Sequence, residues 1–153
     1  MPEHVDVLIV GAGISGIGAA VHLQKHCPER AYLILEGRAA IGGTWDLFRY
    51  PGIRSDSDMY TLGFNFKPWT QGKAIADGAA ILAYLEETVC EYRLGDKIRF
   101  DHRVCSAAWD SSRARWTLTV QHAGAEQVFT CNFLYMCSGY YDYSEGFTPD
   151  YPG

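Results

Sequence analysis

A glycine-rich turn that follows six β-prone residues constrains the fold more than any other feature. Val5–Val10 leads directly into Gly11-Ala12-Gly13-Ile14-Ser15-Gly16, and apolar residues then recur at helical spacing. A strand, a glycine turn and a helix in this order predict that the helix N-terminus binds the diphosphate of a dinucleotide. Gly11 permits the tight turn, Gly13 lets phosphate oxygens approach the main-chain amides, and Gly16 lets the helix pack on the strand.

The next apolar run predicts which part of the ligand is recognised beside the diphosphate. Ala31–Leu35 has the character of a second strand and ends at Glu36, which follows Gly16 by 20 residues. A carboxylate at this distance accepts hydrogen bonds from the adenosine ribose and repels a 2′-phosphate, so we expect NADP to be disfavoured here. The alternative is an ordinary glycine-rich turn without a ligand, and the complete βαβ context argues against it.

Composition excludes several classes of function. A chain of 153 residues can form a domain with a core, and its net charge of −5 without a basic stripe argues against nucleic acid as a partner. No apolar run reaches the ~20 residues of a transmembrane helix, and the start of the chain lacks the basic region of a signal peptide. Because the five cysteines are scattered without a Cys-x-x-Cys pair, we expect free thiols and a cytoplasmic location. His22, His26 and Cys27 are too few for a metal site, and no metal is expected.

The middle of the chain is predicted to alternate between irregular and helical backbone. Residues 37–52 are rich in glycine and aromatic side chains and follow a strand at the edge where ligands bind in such sheets. We expect this stretch to be irregular. Asp77 is predicted to cap a helix over Gly78–Arg93, with Gly95 as its C-terminal stop.

The last third of the chain changes to a period of two. This alternation predicts a β-meander at 98–132, with strands around 98–104, 115–120 and 127–131. Phe133–Cys137 is predicted to be a separate, buried strand that returns to the ligand-binding edge and ends at Ser138-Gly139.

Several of these segments together resemble a known family. The glycine fingerprint, Gly42-Gly43-Thr44-Trp45, the long run Tyr50–Phe64 and Cys137-Ser138-Gly139 are similar to the class B flavoprotein monooxygenases, and most of all to their Baeyer–Villiger group. The resemblance implies an α/β, Rossmann-like FAD/NAD(P)-binding domain at 1–139, a parallel sheet with the inserted meander, incomplete at its C-terminal end. It implies that 140–153 begins a linker to an NADPH domain.

The family's chemistry supplies further expectations. The resemblance implies FAD and NADPH as cofactors, with O2 and a small ketone, thioamide or sulfide as substrates and a C4a-peroxyflavin as the oxygenating species. Asp56 is the implied catalytic residue: it would orient an arginine that keeps the peroxide anionic, because a fixed cation lowers its pKa. The diphosphate would be bound by Gly11, Gly13, Ser15 and Gly16, the ribose by Glu36 and the adenine by the main chain of Val104. Further contacts with FAD or nicotinamide are implied for Gly43, Thr44, Trp45, Asp46, Leu47, Arg54, Ser55, Asp56 and Gly139.

The sequence also departs from the family. Its members are much longer, and their second glycine motif and Phe-x-Gly-x-x-x-His-x-x-x-Trp fingerprint are absent here. We therefore expect the FAD-binding portion of such an enzyme, not catalytically complete alone, with a non-catalytic flavin-binding module as the alternative. A disulfide reductase would need a cysteine pair after Gly42-Gly43, and a single-site NAD dehydrogenase would need a Tyr-x-x-x-Lys pair; the sequence has neither.

Overall fold

The architecture is a mixed sheet with helices on one face and a folded-over meander on the other. The structure is a computed structural model and describes residues 2–152. Six strands lie in the order β3-β2-β1-β6-β5-β4. Their bounds are β1 Glu3–Val10, β2 Tyr32–Leu35, β3 Ile98–Arg99, β4 Arg103–Asp110, β5 Arg115–His122 and β6 Ala125–Met136. The helices are α1 Ile14–His26, α2 Thr44–Leu47, α3 Met59–Leu62 and α4 Gly78–Glu91, with a 3-10 turn at Gly95–Lys97.

Strand β1 is the centre of the sheet and of the core. It pairs in parallel with β2 on one side and β6 on the other. Val7 and Ile9 pack on the face that carries α1 and α4, whereas Leu8 and Val10 pack on the face covered by the meander. Burial of both faces confirms the predicted apolar parallel strand, and the predicted Rossmann-like fold is confirmed with it.

Helix α4 begins as predicted and ends differently. The Asp77 carboxylate accepts a hydrogen bond from the Ala80 N–H at 2.9 Å, which confirms the N-cap. The predicted stop at Gly95 is wrong, because the chain leaves the helix earlier, at Arg93, whose φ is 53°. The fully buried Leu94 donates its N–H to the Val89 carbonyl at 2.9 Å, so core packing turns the chain before the glycine is reached.

The first expected meander strand is divided between two parts of the sheet. Ile98–Arg99 pairs in parallel with the end of β2, so it is the outer strand of the parallel half. The chain then turns at Asp101, whose φ is 56°, and β4 starts at Arg103. Hydrogen bonds from the Glu36 N–H to the Arg99 carbonyl and from the His102 N–H to the Glu36 carbonyl, both 2.9 Å, hold this turn.

The two strands expected at 127–131 and 133–137 form one continuous strand, β6. The one residue between them, Asn132, continues the strand, and β6 pairs with β5 up to Cys131 and with β1 as far as Met136. The prediction that Phe133–Cys137 is buried is wrong, because Phe133 and Tyr135 are 59% and 46% exposed. Beyond Cys131, β6 has left β5 and pairs only with β1.

The structure contains two one-turn helices that the sequence pattern does not predict. Helix α2 interrupts 37–52, and α3 follows Asp58, whose carboxylate accepts from the Thr61 N–H at 3.0 Å. Helices of four residues are too short to produce a recognisable apolar period. Among the described residues no helix has the length and hydropathy needed to cross a membrane.

Candidate dinucleotide-binding site

A cleft of about 980 Å³ lies at the carboxyl ends of β1, β2 and β6. We call it the central cleft. This is the edge of a parallel sheet at which ligands bind in open α/β folds. Ten of the predicted site residues line it: Gly11, Gly13, Ser15, Glu36, Gly43, Thr44, Trp45, Leu47, Val104 and Gly139.

The helix N-terminus presents free main-chain donors to the cleft. The N–H groups of Gly13, Ile14 and Ser15 have no acceptor among residues 2–152, and no side chain caps the helix. All three residues line the cleft. Because these donors coincide with the positive end of the helix dipole, they form a site for an anion such as a diphosphate.

The turn that precedes these amides is closely packed on both sides. Gly11 has a φ of 105°, and a Cβ there would lie 2.5 Å from the Cys137 carbonyl oxygen. A Cβ on Gly16 would lie 1.9 Å from the Gly11 carbonyl oxygen. Gly16 is therefore a buried packing position beneath the glycine turn, and it does not line the cleft. In contrast, a Cβ on Gly13 would find only the Gly43 Cα, at 3.8 Å, and would project into open space.

Glu36 is oriented toward the cleft by two main-chain hydrogen bonds. Its Oε2 accepts from the Ala12 N–H at 2.8 Å and its Oε1 from the Arg38 N–H at 2.9 Å. The residue is 8% exposed and lines the cleft. A carboxylate has about four lone-pair positions, so two remain for donors such as ribose hydroxyls.

The loop opposite the glycine turn is attached to it directly. The Gly42 N–H donates to the Ala12 carbonyl at 3.0 Å, and a Cβ on Gly43 would lie 3.3 Å from the Gly13 Cα. Thr44, Trp45 and Leu47 of α2 therefore line the same cleft as the glycine turn.

Asp46 occupies a different position from its neighbours in α2. Its carboxylate is buried behind the cleft wall and bonds to Arg38 through one oxygen and to Arg49 through the other, at 2.8 Å for Arg49. Although burial acts to raise it, the pKa of the Asp46 carboxyl is lowered, because hydrogen bonds and charge from both arginines favour the ionised form. This geometry argues against the direct contact between Asp46 and FAD that the resemblance implies, because Asp46 does not line the cleft.

Arg54, Ser55 and Asp56 lie outside the central cleft. They line a second depression of about 520 Å³, which we call the outer hollow, together with Tyr50, Gly52 and Ile75. Ser55 is buried, whereas Arg54 and Asp56 are exposed.

An aromatic bridge connects the two depressions. The ring of Phe48 lies 6.4 Å from that of Tyr50 at the hollow and 6.1 Å from that of Tyr141 at the cleft. A hydrogen bond with Tyr140, and to a lesser degree the nearby charge of Asp56, raise the pKa of the Tyr141 hydroxyl.

Sequence reasoning missed several residues of the cleft. Arg38 follows Glu36 by two positions and lines the cleft wall, and no spacing in the sequence distinguishes it from the other charged residues of the loop. The segment Tyr140–Ser144, which was expected to begin a linker, also lines the cleft. The sequence of this segment has no periodic pattern from which that position could be predicted. No three His, Cys, Asp or Glu side chains in the described part of the chain cluster as a metal site.

Fold and cleft together define a Rossmann-like dinucleotide-binding domain. The family model for NAD(P)-binding Rossmann-like domains matches residues 9–75. Solved structures with the same fold include an oxidised steroid monooxygenase bound to NADP, with a TM-score of 0.81 and 33% identity over 98% of this chain and 28% of that one. The closed form of cyclohexanone monooxygenase superposes with a TM-score of 0.82 and 28% identity over 100% of this chain and 29% of the other.

Sequence relatives narrow the class further. The chain is 58% identical over 153 residues to the FAD-containing monooxygenase EthA of Mycobacterium tuberculosis, and 55% identical to a probable FAD-binding monooxygenase, AlmA, of an Acinetobacter species. The alignments cover 100% and 99% of this chain but 31% of each relative. The resemblance to Baeyer–Villiger-type flavoprotein monooxygenases is confirmed. The homologues of this chain are FAD-containing monooxygenases, and the chain spans about a third of their length.

Proposed function

We propose that this chain binds FAD in the central cleft and is the FAD-binding portion of an NADPH-using, Baeyer–Villiger-type monooxygenase. The observation that carries the proposal is the pairing of free amides at Gly13–Ser15 with the Glu36 carboxylate, which its hydrogen bonds orient toward the same cleft. Amides of this kind bind a diphosphate, and an oriented carboxylate binds a ribose. The names of the relatives, FAD-containing and FAD-binding monooxygenases, support FAD as this dinucleotide.

The same geometry favours FAD over NADP in this cleft. An adenosine 2′-phosphate would be placed against the buried carboxylate of Glu36, which would repel it. The aromatic bridge of Phe48, Tyr50 and Tyr141 leads from the cleft to the outer hollow, and aromatic rings that present both faces and edges offer apolar contacts to an isoalloxazine ring. NADPH would then bind mainly through residues outside this chain, with Arg54–Asp56 at the point where flavin and nicotinamide meet.

Bound FAD would supply the redox chemistry: it accepts a hydride from NADPH and activates O2. The chain's own residues bind and orient it, through the amides at the diphosphate and Glu36 at the ribose. Asp56, which is exposed in the outer hollow, would hold a cation beside the flavin. A ketone, thioamide or sulfide is the proposed substrate. The five free cysteines support a reducing, cytoplasmic location.

Titration of the purified chain with FAD and with NAD tests the proposal. We expect a flavin absorption spectrum and tighter binding of FAD than of NAD. Glu36→Lys should weaken FAD binding by about tenfold or more, because it replaces the ribose acceptor with a cation that breaks two main-chain hydrogen bonds. Glu29→Lys makes the same charge change on a side chain that is 66% exposed and outside the cleft, and should bind FAD like the wild type. Equal or tighter binding of NAD would contradict the proposal.

A further inference from the structure

The strongest unassigned feature is the guanidinium of Arg38, at the meeting point of three parts of the cleft wall. Its Nη1 donates to the Gly43 carbonyl at 3.4 Å, and its Nη2 donates to the Asp46 carboxylate of α2. Its own main-chain N–H orients Glu36. Arg38 therefore joins the predicted ribose acceptor to the loop that touches the glycine turn.

The charges around Arg38 are arranged with the positive end toward the cleft. Arg38 lines the cleft, whereas Asp46 does not and its side chain is only 8% exposed. Asp46 also binds Arg49, through an Nη2 contact of 2.8 Å to the carboxylate and an Nε contact of 2.9 Å to the main-chain oxygen. Two cations share one carboxylate, so the cluster keeps one net positive charge.

The donors of Arg38 are only partly used. A guanidinium has five N–H donors, and within residues 2–152 two acceptors, Gly43 and Asp46, are bound to it. The remaining donors are close to Gly43, which is itself in contact with Gly13 at the free amides. A planar fork at this place matches the geometry of phosphate oxygens. Arg103, the other cation that lines the cleft, lies beside Gly37 rather than beside the glycine turn.

We propose that Arg38 binds the adenosine side of the FAD diphosphate and that Asp46 is the positioning residue that orients it. The inference rests on the proposed function and deepens it. It gives Asp46 a role different from the direct FAD contact that the family resemblance implies. It also divides recognition of the diphosphate between two walls, the amides of the glycine turn on one and a guanidinium on the other.

ADP and adenosine differ only in the diphosphate, so comparing their binding separates a phosphate contact from a general structural effect. In Arg38→Met, the dissociation constants of FAD and ADP should rise about tenfold, whereas that of adenosine should stay within about twofold. The salt dependence of FAD binding should become weaker, since one cation no longer interacts with the phosphates. Arg38→Lys keeps the charge and should retain affinity to within about threefold. The matched control is Arg113→Met, which removes an 80% exposed arginine that pairs with Asp110 away from the cleft and should change FAD binding by no more than about twofold.

A double-mutant cycle tests the part assigned to Asp46. Asp46→Asn should weaken ADP binding in the wild-type background and have no further effect in the Arg38→Met background. Additive losses would overturn the positioning role. Equal losses for ADP and adenosine in Arg38→Met, or unchanged binding of both FAD and ADP, would overturn the phosphate contact. A wild-type chain that binds ADP but not FAD would contradict the proposed function and leave the test of Arg38 intact.

Discussion

The central cleft and the outer hollow hold predicted ligand-binding residues of two different kinds. In the cleft the groups that would bind the ligand are main-chain amides and a buried carboxylate held by main-chain N–H groups. In the hollow they are the exposed side chains of Arg54 and Asp56, on a loop segment between α2 and α3. The difference indicates that the cleft is already shaped for its ligand, whereas the hollow depends on groups that approach it from elsewhere.

The largest expected effect separates packing from binding within the glycine turn. Gly16→Ala should destabilise the fold by about 3 kcal/mol, because the added Cβ would lie 1.9 Å from the Gly11 carbonyl oxygen in a buried turn. Gly13→Ala should cost less than about 1 kcal/mol, since φ is −81° and the nearest atom to its Cβ is 3.8 Å away. That methyl group nevertheless stands where the phosphate must approach. Urea unfolding and FAD titration of both variants make the comparison.

The two alanine variants should therefore fail in opposite ways. We expect Gly16→Ala to lose stability, and Gly13→Ala to keep it and lose FAD affinity by about tenfold or more. A Gly13→Ala chain that binds FAD as tightly as the wild type would show that the diphosphate does not approach the turn.

Acid stability should depend on the buried carboxylate of Asp46 and not on the exposed carboxylate of Asp56. The folded-state pKa of Asp46 lies below its ordinary value of about 4, because Arg38 and Arg49 outweigh the effect of burial. The folded protein thus binds fewer protons than the unfolded chain. The stabilisation is present above about pH 4 and is lost as the pH falls through the lowered folded-state pKa.

Asp46→Asn tests this dependence directly. It should lower the free energy of unfolding by about 1–3 kcal/mol at pH 7 and flatten the decline of stability below pH 4. Asp56→Asn, on an exposed carboxylate of the outer hollow, should change neither quantity. An Asp46→Asn chain with the same acid unfolding curve as the wild type would show that the pair with Arg38 does not stabilise the cleft wall.

The sequence predicts the main-chain part of the central cleft better than it predicts the positions of charged and exposed side chains. The strand, turn, helix and Glu36 were predictable, since backbone geometry demands glycine at particular spacings and the acid follows at a regular distance. Asp46 and Arg38 were not separable by pattern: both are charged residues in a glycine-rich loop, and only the folded loop shows that one faces the cleft and the other lies behind it. The exposure of Phe133 and Tyr135 was equally invisible, because an apolar run predicts a strand but not what covers it.

The smallest expected effect on binding belongs to the outer hollow. Asp56→Ala should leave the FAD dissociation constant within about twofold of the wild type, because Asp56 is exposed and does not line the central cleft. If the flavin ring reaches the hollow along the aromatic bridge, the loss of a nearby negative charge should still alter the visible absorption spectrum of bound FAD.

Titration followed by difference spectroscopy measures both the dissociation constant and the spectrum, with Glu36→Ala as the matched removal of a carboxylate from the cleft. A tenfold loss of affinity in Asp56→Ala would mean that hollow and cleft act as one binding site, and an unchanged spectrum would place the ring away from Asp56.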